Sequence, residues 1–332
     1  ATTTVPPSPP YTVVGDIPAN TDGVWVCSAP HDRVAHVKEA AEVQHVRVVY
    51  CEGPVAPTAK EVADLYESCR KADCELLCAW HPRWYPDYKS LYSTTREPRK
   101  MASALIKHHE QQAPPFPQLQ SSAREFFLSL LAEDFNTAAF FMDEQMPVSI
   151  QASCRDTCGS GVPDAAVAHL EFPGGRSVLI EASVPPSSSR ARAILGSKVV
   201  NYESSVSVVV DGKSESAGKH GPGGGGWESR AQRLEAALKA ETEYLAAILR
   251  GESVERICKE SHCKQTARMA EMAADSALSG RKVQANPFMR LMQIGCGSFG
   301  SWVKDKVLPR LPNCELVGVV TAENSELELD SL

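Results

Sequence analysis

Two hydrophobic periods alternate along the first part of the chain. Three short, almost continuous apolar runs are predicted to be buried strands: residues 22–28, 45–51 and 74–80. Between them, residues 32–43 and 59–71 carry apolar side chains at helical spacing, and Thr58 with Glu61 forms a capping-box signal before the second helix. Strands that alternate with helices of this length are typical of parallel βαβ units.

The pattern changes after residue 82. Residues 86–134 are predicted to be mostly helical, with a proline-rich break at 113–117. Six strands separated by turn signals follow: 148–152, 165–172, 177–184, 190–195, 199–203 and 206–210. Two amphipathic helices, 233–250 and 261–278, come after a glycine-rich connector. This order predicts a second α/β domain with a largely antiparallel open sheet.

A glycine-rich turn lies near the other end of the chain. Gly295, Gly297 and Gly300 have the spacing G-x-G-x-x-G, between an apolar strand and an amphipathic helix. In dinucleotide-binding sheets these glycines allow a tight turn, a close approach to the pyrophosphate and close helix–strand packing. The motif predicts a dinucleotide site, although turns that bind nothing can have the same spacing.

Two incomplete pieces of one parallel sheet occur at opposite ends of the chain. The sheet that begins after residue 11 lacks its first strands, and residues 290–320 read as strand, helix and strand. The sequence therefore predicts a circularly permuted α/β chain. Residues 1–82 together with 287–332 would form a Rossmann-type parallel sheet, and residues 83–286 the second domain.

Composition narrows the classes of partner and compartment. A length of 332 residues suits two domains, and a net charge of −7 argues against nucleic acid or an anionic membrane as the main partner. No apolar run approaches the length of a bilayer span, and no signal-peptide pattern opens the chain. We therefore expect a cytoplasmic protein without membrane association.

The cysteines predict no metal site. Eleven are scattered along the chain and none forms a C-x-x-C pair, so zinc and thioredoxin-like sites are not expected. Cys27, Cys51 and Cys78 lie in apolar runs, where cysteine acts as a small hydrophobic residue. Reduced thiols in a cytoplasmic compartment are the expectation.

Five segments, taken with the two ends joined, carry a family resemblance: the strand and glycine turn at 289–300, the strand and Ser-Ala-Pro turn at 22–30, Cys-Glu-Gly-Pro at 51–54, Arg-Trp-Tyr-Pro at 83–86, and the segment at 275–283. In that order they resemble the glucose–fructose oxidoreductase / inositol dehydrogenase (Gfo/Idh/MocA) family along almost the whole chain. The segment at 275–283 resembles the family's C-terminal ending and directly precedes its usual beginning, which supports the permuted order.

The resemblance implies a nicotinamide cofactor and a small-molecule substrate, with homo-oligomers formed through the open sheet of the second domain. The residues it places at the cofactor are Ser28, Ala29, Pro30, His31, Glu52, Gly53, Pro54, Gly295, Gly297, Ser298, Phe299, Gly300 and Thr321. Thr321 follows the second strand and carries no charge to repel a 2′-phosphate, although no arginine stands there to bind one. NADP is slightly favoured over NAD.

The chain departs from the family at the acid/base residues. Gly53 replaces the lysine of the family's Glu-Lys-Pro motif, and glycine cannot transfer a proton. On the best-fitting register of the family's Asp-x-Gly-x-His-x-x-Asp segment, Ser129 and Asn136 replace the aspartates and Glu133 replaces the histidine. The usual lysine and histidine pair is therefore missing.

Other side chains are candidates for those roles. His81 ends a strand and titrates near neutrality, so it is a candidate acid, with a surface histidine as the alternative. Glu133 is a second candidate, or else a solvated helix residue. Arg83, with Tyr85 beside it, would hold an anionic substrate group or else form a structural ion pair.

Two functional hypotheses follow. The first is an NAD(P)-dependent oxidoreductase with an atypical acid/base set and an unidentified substrate. The alternative is a catalytically silent, dinucleotide-binding regulatory or scaffold protein of the same fold.

Overall fold

A computed structural model describes most of the chain, and the chain divides into two compact units, Ala1–Val283 and Gln284–Leu332. The described residues are 17–18, 20–95, 101–109, 121–157, 159–183, 205–210, 213–216, 230–285, 289–294, 298–303, 306 and 314–320. The predicted strand near residue 11 and those at 190–195 and 199–203 lie outside these ranges. No helix in the described ranges is long and apolar enough to cross a membrane.

The first unit begins with a three-stranded parallel sheet. Its strands are β1 (Gly23–Val26), β2 (Val48–Glu52) and β3 (Glu75–Ala79), paired in that order. Helix α1 (Arg33–Ala41) connects the first two strands and α2 (Ala59–Lys71) the last two. The predicted βαβ succession is confirmed.

The predicted start of α2 is also confirmed. The Thr58 side chain accepts a hydrogen bond of 3.2 Å from the Glu61 backbone N–H, and the Thr58 backbone N–H donates to the Glu61 carboxylate at 3.2 Å. The helix buries Val62, Leu65 and Cys69 in the core that it shares with the sheet. This packing fixes the loop that precedes Thr58.

The helical prediction for residues 86–134 was wrong in its middle. A 3-10 turn (His81–Trp84) and α3 (Pro86–Thr95) lead to a nine-residue strand, β4 (Met101–His109). The helical part returns as α4 (Ala123–Glu125), a π-helical turn (Phe126–Leu130) and α5 (Ala132–Phe141). Ala104 and Ile106 are buried while Ser103 and Leu105 are less so, the alternation expected of a strand with one face packed on the core.

The second sheet has seven strands in the order β10-β5-β6-β7-β4-β8-β9. Its other strands are β5 (Ser149–Arg155), β6 (Ala165–Glu171), β7 (Ser177–Ser183), β8 (Ser205–Val210), β9 (Lys213–Ser216) and β10 (Val283–Gln284). Strands β4 and β7 pair in parallel, whereas β4–β8, β5–β6, β6–β7 and β8–β9 pair antiparallel. Four of these five pairs are antiparallel, so the predicted largely antiparallel sheet is confirmed, with the β4–β7 pair as its parallel exception.

The two predicted amphipathic helices are α6 (Arg230–Leu249) and α7 (Glu260–Ser279). Helix α7 packs against α2, α5 and β5, so it joins the three-stranded sheet to the seven-stranded sheet. It ends at Gly280, whose φ of 67° is a left-handed conformation that glycine adopts without strain.

The second unit contains a parallel pair of strands, β11 (Met289–Ile294) and β12 (Cys314–Val320). Helix α8 (Ser298–Trp302) lies between them in sequence. This is the predicted strand, helix and strand, although Gly295, Gly297 and Thr321 lie outside the described residues. The described strands of the two units belong to separate sheets, and their joining into one domain stays a prediction.

Candidate functional site

The candidate site lies at the carboxyl edge of the three-stranded sheet. Because β1, β2 and β3 are parallel, the segments that follow them all emerge at this edge. They are Cys27–Pro30 after β1, Glu52–Pro54 at the end of β2, and Trp80 with His81 after β3. Open parallel sheets bind their ligands outside the carboxyl ends of the strands.

Arg33 forms hydrogen bonds to two of these segments, the one after β1 and the one at the end of β2. Its Nε donates to the Ser28 carbonyl at 2.9 Å, its Nη1 to the Pro54 carbonyl at 3.1 Å, and its Nη2 to Glu52 Oε2 at 3.2 Å. The residue is 6% exposed, and a guanidinium supplies several donors in a fixed geometry. Sequence analysis missed Arg33; the available signal was a charged residue on the buried face of α1.

Packing decides the residue at position 53. A Cβ atom added to Gly53 would lie 2.5 Å from Cε3 of the Trp80 ring, and Trp80 is 2% exposed. The Gly53 N–H also donates to the Ala79 carbonyl at 2.9 Å, which holds the backbone against β3. Any larger side chain with this backbone would collide with Trp80, so packing against the indole favours glycine here.

His81 is held by a carboxylate from a distant helix. Its Nδ1 lies 3.0 Å from Oε1 and 3.1 Å from Oε2 of Glu241 in α6. The side chain of His81 is 22% exposed, whereas that of Glu241 is completely buried. A carboxylate on Nδ1 fixes the orientation of the ring and leaves Nε2 as the nitrogen that can exchange a proton.

The pKa of His81 is raised. Burial opposes the charged ring, but the hydrogen bond and the negative charge of Glu241 outweigh burial, and the charges of Glu133 and Glu52 add to them. The charges of Glu133 and Glu52, both candidates from the sequence, thus act on His81. The shift favours the protonated form of His81 more than in a histidine that has no such partner.

Sequence analysis missed Glu241. The side chain lies on the same helix face as Ala237, Tyr244 and Ile248, one or two turns away, and those positions are apolar. A carboxylate in the apolar stripe of an amphipathic helix was the signal that could have found it. Its partner could not be identified because it lies 160 positions away.

Arg83 forms the structural ion pair that was its alternative interpretation. Its Nη1 and Nη2 contact the two carboxylate oxygens of Glu144 at 2.6 and 3.1 Å, and its Nε donates to Asn136 Oδ1 at 2.6 Å. Asn136 in turn donates to Thr266 Oγ1 at 2.9 Å. These contacts engage the guanidinium within the protein, and Tyr85, 8% exposed, packs on Tyr88.

The residues at the end of β1 differ in exposure. His31 is half-exposed and forms an ion pair of 3.2 Å with Asp32. Burial, followed by the charge of Glu52, raises the pKa of Cys27 to about 11, so this thiol stays protonated at neutral pH.

Two buried polar atoms at this edge fit a polar ligand. The Ser28 hydroxyl oxygen and the Trp80 Nε1 atom are both buried and make no hydrogen bond within the described part of the chain. Unsatisfied buried groups are rare in native proteins, and each is a potential ligand contact. Ser28 follows β1, whose end the family resemblance places beside the cofactor, and Trp80 follows β3 at the same edge of the sheet.

The comparisons with known proteins agree with this fold. No protein-family model matches the chain. The chain is 26% identical over 180 residues to a myo-inositol 2-dehydrogenase of Thermotoga maritima, and the match spans 52% of each protein, about half the length of that relative.

Solved structures are similar over more of the chain. A myo-inositol dehydrogenase from Corynebacterium glutamicum has a TM-score of 0.61 at 16% identity and covers 80% of each chain. GenD2 from gentamicin A biosynthesis, in complex with NAD, has a TM-score of 0.64 at 15% identity and covers 80% of this chain and 79% of its own. An oxidoreductase from Agrobacterium radiobacter, in complex with NAD+, L-tartaric acid and magnesium, has a TM-score of 0.59 at 15% identity, with 80% of each chain covered.

Proposed function

We propose, from the premise that this chain is a relative of the Gfo/Idh/MocA dehydrogenases and shares their fold, that it is an NAD(P)-dependent oxidoreductase. The substrate class is a small polyhydroxylated molecule, with interconversion of a secondary alcohol and a ketone. One observation carries the proposal: His81 stands at the carboxyl edge of the parallel sheet with its Nδ1 on the buried Glu241 carboxylate.

The cofactor would be held by residues from both ends of the chain. Gly295, Gly297 and Gly300 would admit the pyrophosphate, with Thr321 near the adenosine ribose. The two segments fastened by Arg33, Ser28–His31 and Glu52–Pro54, would line the nicotinamide side. When bound, nicotinamide gives or takes a hydride. The slight preference for NADP rests on Thr321 and is part of the proposal.

His81 takes the acid/base role that lysine has in the family. Glu241 stabilises the imidazolium and holds the ring, so Nε2 can pass a proton to or from the substrate oxygen. Glu133 favours the protonated form through its charge and is the second candidate proton carrier. This role compensates for Gly53, where Trp80 leaves no room for a lysine.

The test is a dehydrogenase assay with NAD+ and NADP+ across inositols, sugars and sugar acids, following formation of the reduced cofactor. Replacing His81→Asn should lower kcat by about 10²- to 10⁴-fold, the usual contribution of a general acid or base. Binding of NADH should be unchanged. His45→Asn, in the loop between α1 and β2, is the matched control and should retain activity.

The packing of Trp80 on Gly53 favours a second candidate function. A dinucleotide-binding regulatory or scaffold protein would need the residues that bind the cofactor, but not the lysine of the family's Glu-Lys-Pro motif. Stoichiometric binding of NADH or NADPH, with no turnover across the whole panel, would support this alternative and contradict the enzyme. If the wild type turns over a substrate and His81→Asn does not, the regulatory or scaffold function would be excluded.

The proposal includes a homo-oligomer formed through the open face of the seven-stranded sheet. Along β6 burial alternates, and Val167 on the less buried face is 44% exposed. Val167→Lys should shift the protein to a smaller species in light scattering without lowering its unfolding temperature. Val148→Lys, equally exposed but outside the sheet strands, is the control. A single unchanged mass for all three proteins would contradict the interface.

A further inference from the structure

Three cysteines from two distant segments of the chain meet in the core of the first unit. Cys78 comes from β3, Cys258 from the segment before α7, and Cys263 from the first turn of α7. Their Sγ atoms all lie within 4.8 Å of one another, and the residues are 2–5% exposed. Among the described residues, no other group of three or more histidine, cysteine or acidic side chains brings its ligand atoms this close together.

The sulfur spacing suits a metal ion better than a disulfide. Cys258 Sγ and Cys263 Sγ are 3.7 Å apart. Thiolates bound to tetrahedral zinc at a Zn–S distance of about 2.3 Å stand about 3.8 Å from each other. A disulfide requires about 2.05 Å. The pair is therefore already at the separation of two ligands around one ion.

An oxygen atom adjoins the three sulfurs. The Tyr66 hydroxyl, from α2, lies 3.5 Å from Cys263 Sγ, and Tyr66 is 7% exposed. A zinc-bound oxygen at about 2.0–2.2 Å would stand about 3.5 Å from a zinc-bound sulfur. This hydroxyl, or a water molecule in its place, would complete four-coordination.

The sequence spacing is compatible with this geometry. Cys258-x-x-x-x-Cys263 is a C-x4-C pair, the longest of the usual spacings for a zinc-binding pair of cysteines. Cys69 and Cys74 have the same spacing without converging on a third ligand in the described residues. Spacing alone therefore does not identify the site, and the convergence of Cys78 does.

We propose that Cys78, Cys258 and Cys263 form a structural site for a thiophilic divalent metal ion, with zinc as the ion whose bond lengths match. The site would link β3 of the parallel sheet to the start of α7, the helix that packs on the seven-stranded sheet. Bound metal would stabilise the folded state by mass action. The inference does not depend on the proposed dehydrogenase activity.

Cobalt titration of the reduced, chelator-treated protein tests the site directly. One Co²⁺ per chain should bind, with a near-ultraviolet thiolate charge-transfer band and the intense visible bands of tetrahedral cobalt, and Zn²⁺ should displace it. The variants Cys78→Ser, Cys258→Ser and Cys263→Ser should each lose the charge-transfer band. Cys69→Ser, equally buried and on α2, should keep it.

The wild-type chain alone provides a second measurement in case the variants do not fold. Zn²⁺ should raise its unfolding temperature, and a zinc chelator should reverse the rise. The proposal would be overturned if cobalt bound substoichiometrically or with octahedral geometry. It would also be overturned if zinc did not change the unfolding temperature. A Cys258–Cys263 disulfide found by mass spectrometry in the protein as isolated would likewise overturn it.

Discussion

At the scale of single residues, the chemistry of the candidate site depends on one contact. Both carboxylate oxygens of Glu241 lie within 3.1 Å of His81 Nδ1, and water does not reach Glu241. An ion pair with one partner fully buried is screened little by solvent, so its effect on the histidine is strong. Glu241 is therefore the main influence that raises the pKa of His81 against the opposing effect of burial.

Replacing Glu241→Gln should lower the pKa of His81, because it removes the largest influence that favours the charged ring and leaves the opposing burial in place. An NMR titration of the His81 ring measures this shift. Glu243→Gln changes an exposed carboxylate on the same helix and should leave the titration unchanged. Equal His81 pKa values in both variants and the wild type would contradict the pairing.

The same pair predicts how stability changes with pH. Because the folded-state pKa of His81 is raised, its contribution to the free energy of unfolding is fully present below the unfolded value of about 6.5. It is lost as pH rises through the folded-state pKa. Denaturant unfolding of wild type and Glu241→Gln should therefore show a difference that shrinks with rising pH. If the stability difference between the two proteins grew with rising pH, the predicted direction of the effect would be wrong.

Gly53→Ala should destabilise the protein by about 1–3 kcal/mol, the usual cost of overpacking a core, because its Cβ would meet the Trp80 ring at 2.5 Å. Denaturant unfolding measures the loss. In a double-mutant cycle, Trp80→Leu should make Gly53→Ala less costly, since the clashing ring is gone. Strict additivity of the two changes would show that the ring is not the obstacle.

At the scale of secondary-structure elements, local signals predicted α2 and failed for β4. Thr58 and Glu61 satisfy each other's backbone groups within one turn, so the capping box is visible in sequence. Met101–His109 contains methionine, alanine, leucine and lysine, which are all good helix formers. Pairing with β7 and β8 on either side overrides that preference.

Thr58→Ala should lower the free energy of unfolding by about 1 kcal/mol, because the Glu61 N–H loses its acceptor. Thermal or denaturant unfolding provides the measurement. Thr58→Ser keeps a hydroxyl at the N-cap and should cost much less. If both variants lost equal stability, the methyl group rather than the cap would be responsible.

Gly297→Asp should abolish dinucleotide binding, because a side chain and a negative charge would occupy the approach of the pyrophosphate. Fluorescence titration with NADH and NADPH measures this and also determines which cofactor is preferred. Gln44→Asp, at an exposed turn before β2, is a control for added charge. Equal affinities of Gly297→Asp and wild type would contradict the glycine-turn assignment.

At the scale of the whole molecule, the predicted permutation concerns the order of segments rather than their structure. Moving residues 287–332 ahead of residue 1 through a flexible linker should preserve binding of NADH or NADPH, because the predicted sheet keeps the same strands. Circular dichroism checks folding and fluorescence titration checks binding. The native-order chain with the same linker appended is the control. A folded, reordered chain that no longer binds would contradict the rejoined domain.

Sequence by itself determined the features that depend on neighbours along the chain. These are the βαβ alternation through residue 80, the capping box of α2, helices α6 and α7, and the strand–helix–strand segment at 289–320. It also identified His81 and Glu133 as candidate acids and Gly53 as the residue at the position of the family's lysine. Each has a period, spacing or motif match that can be read within a few residues.

Only the tertiary structure decided which distant side chains meet. The partner of His81 lies 160 positions away, Arg33 joins segments 26 residues apart in sequence (from Ser28 to Pro54), and Cys78 lies 180 positions before Cys258. Such contacts depend on how helices and sheets pack, and no local period encodes them. Local chemistry therefore predicted the elements and the candidate acid, whereas long-range packing selected Glu241 as its partner and brought the three cysteines together.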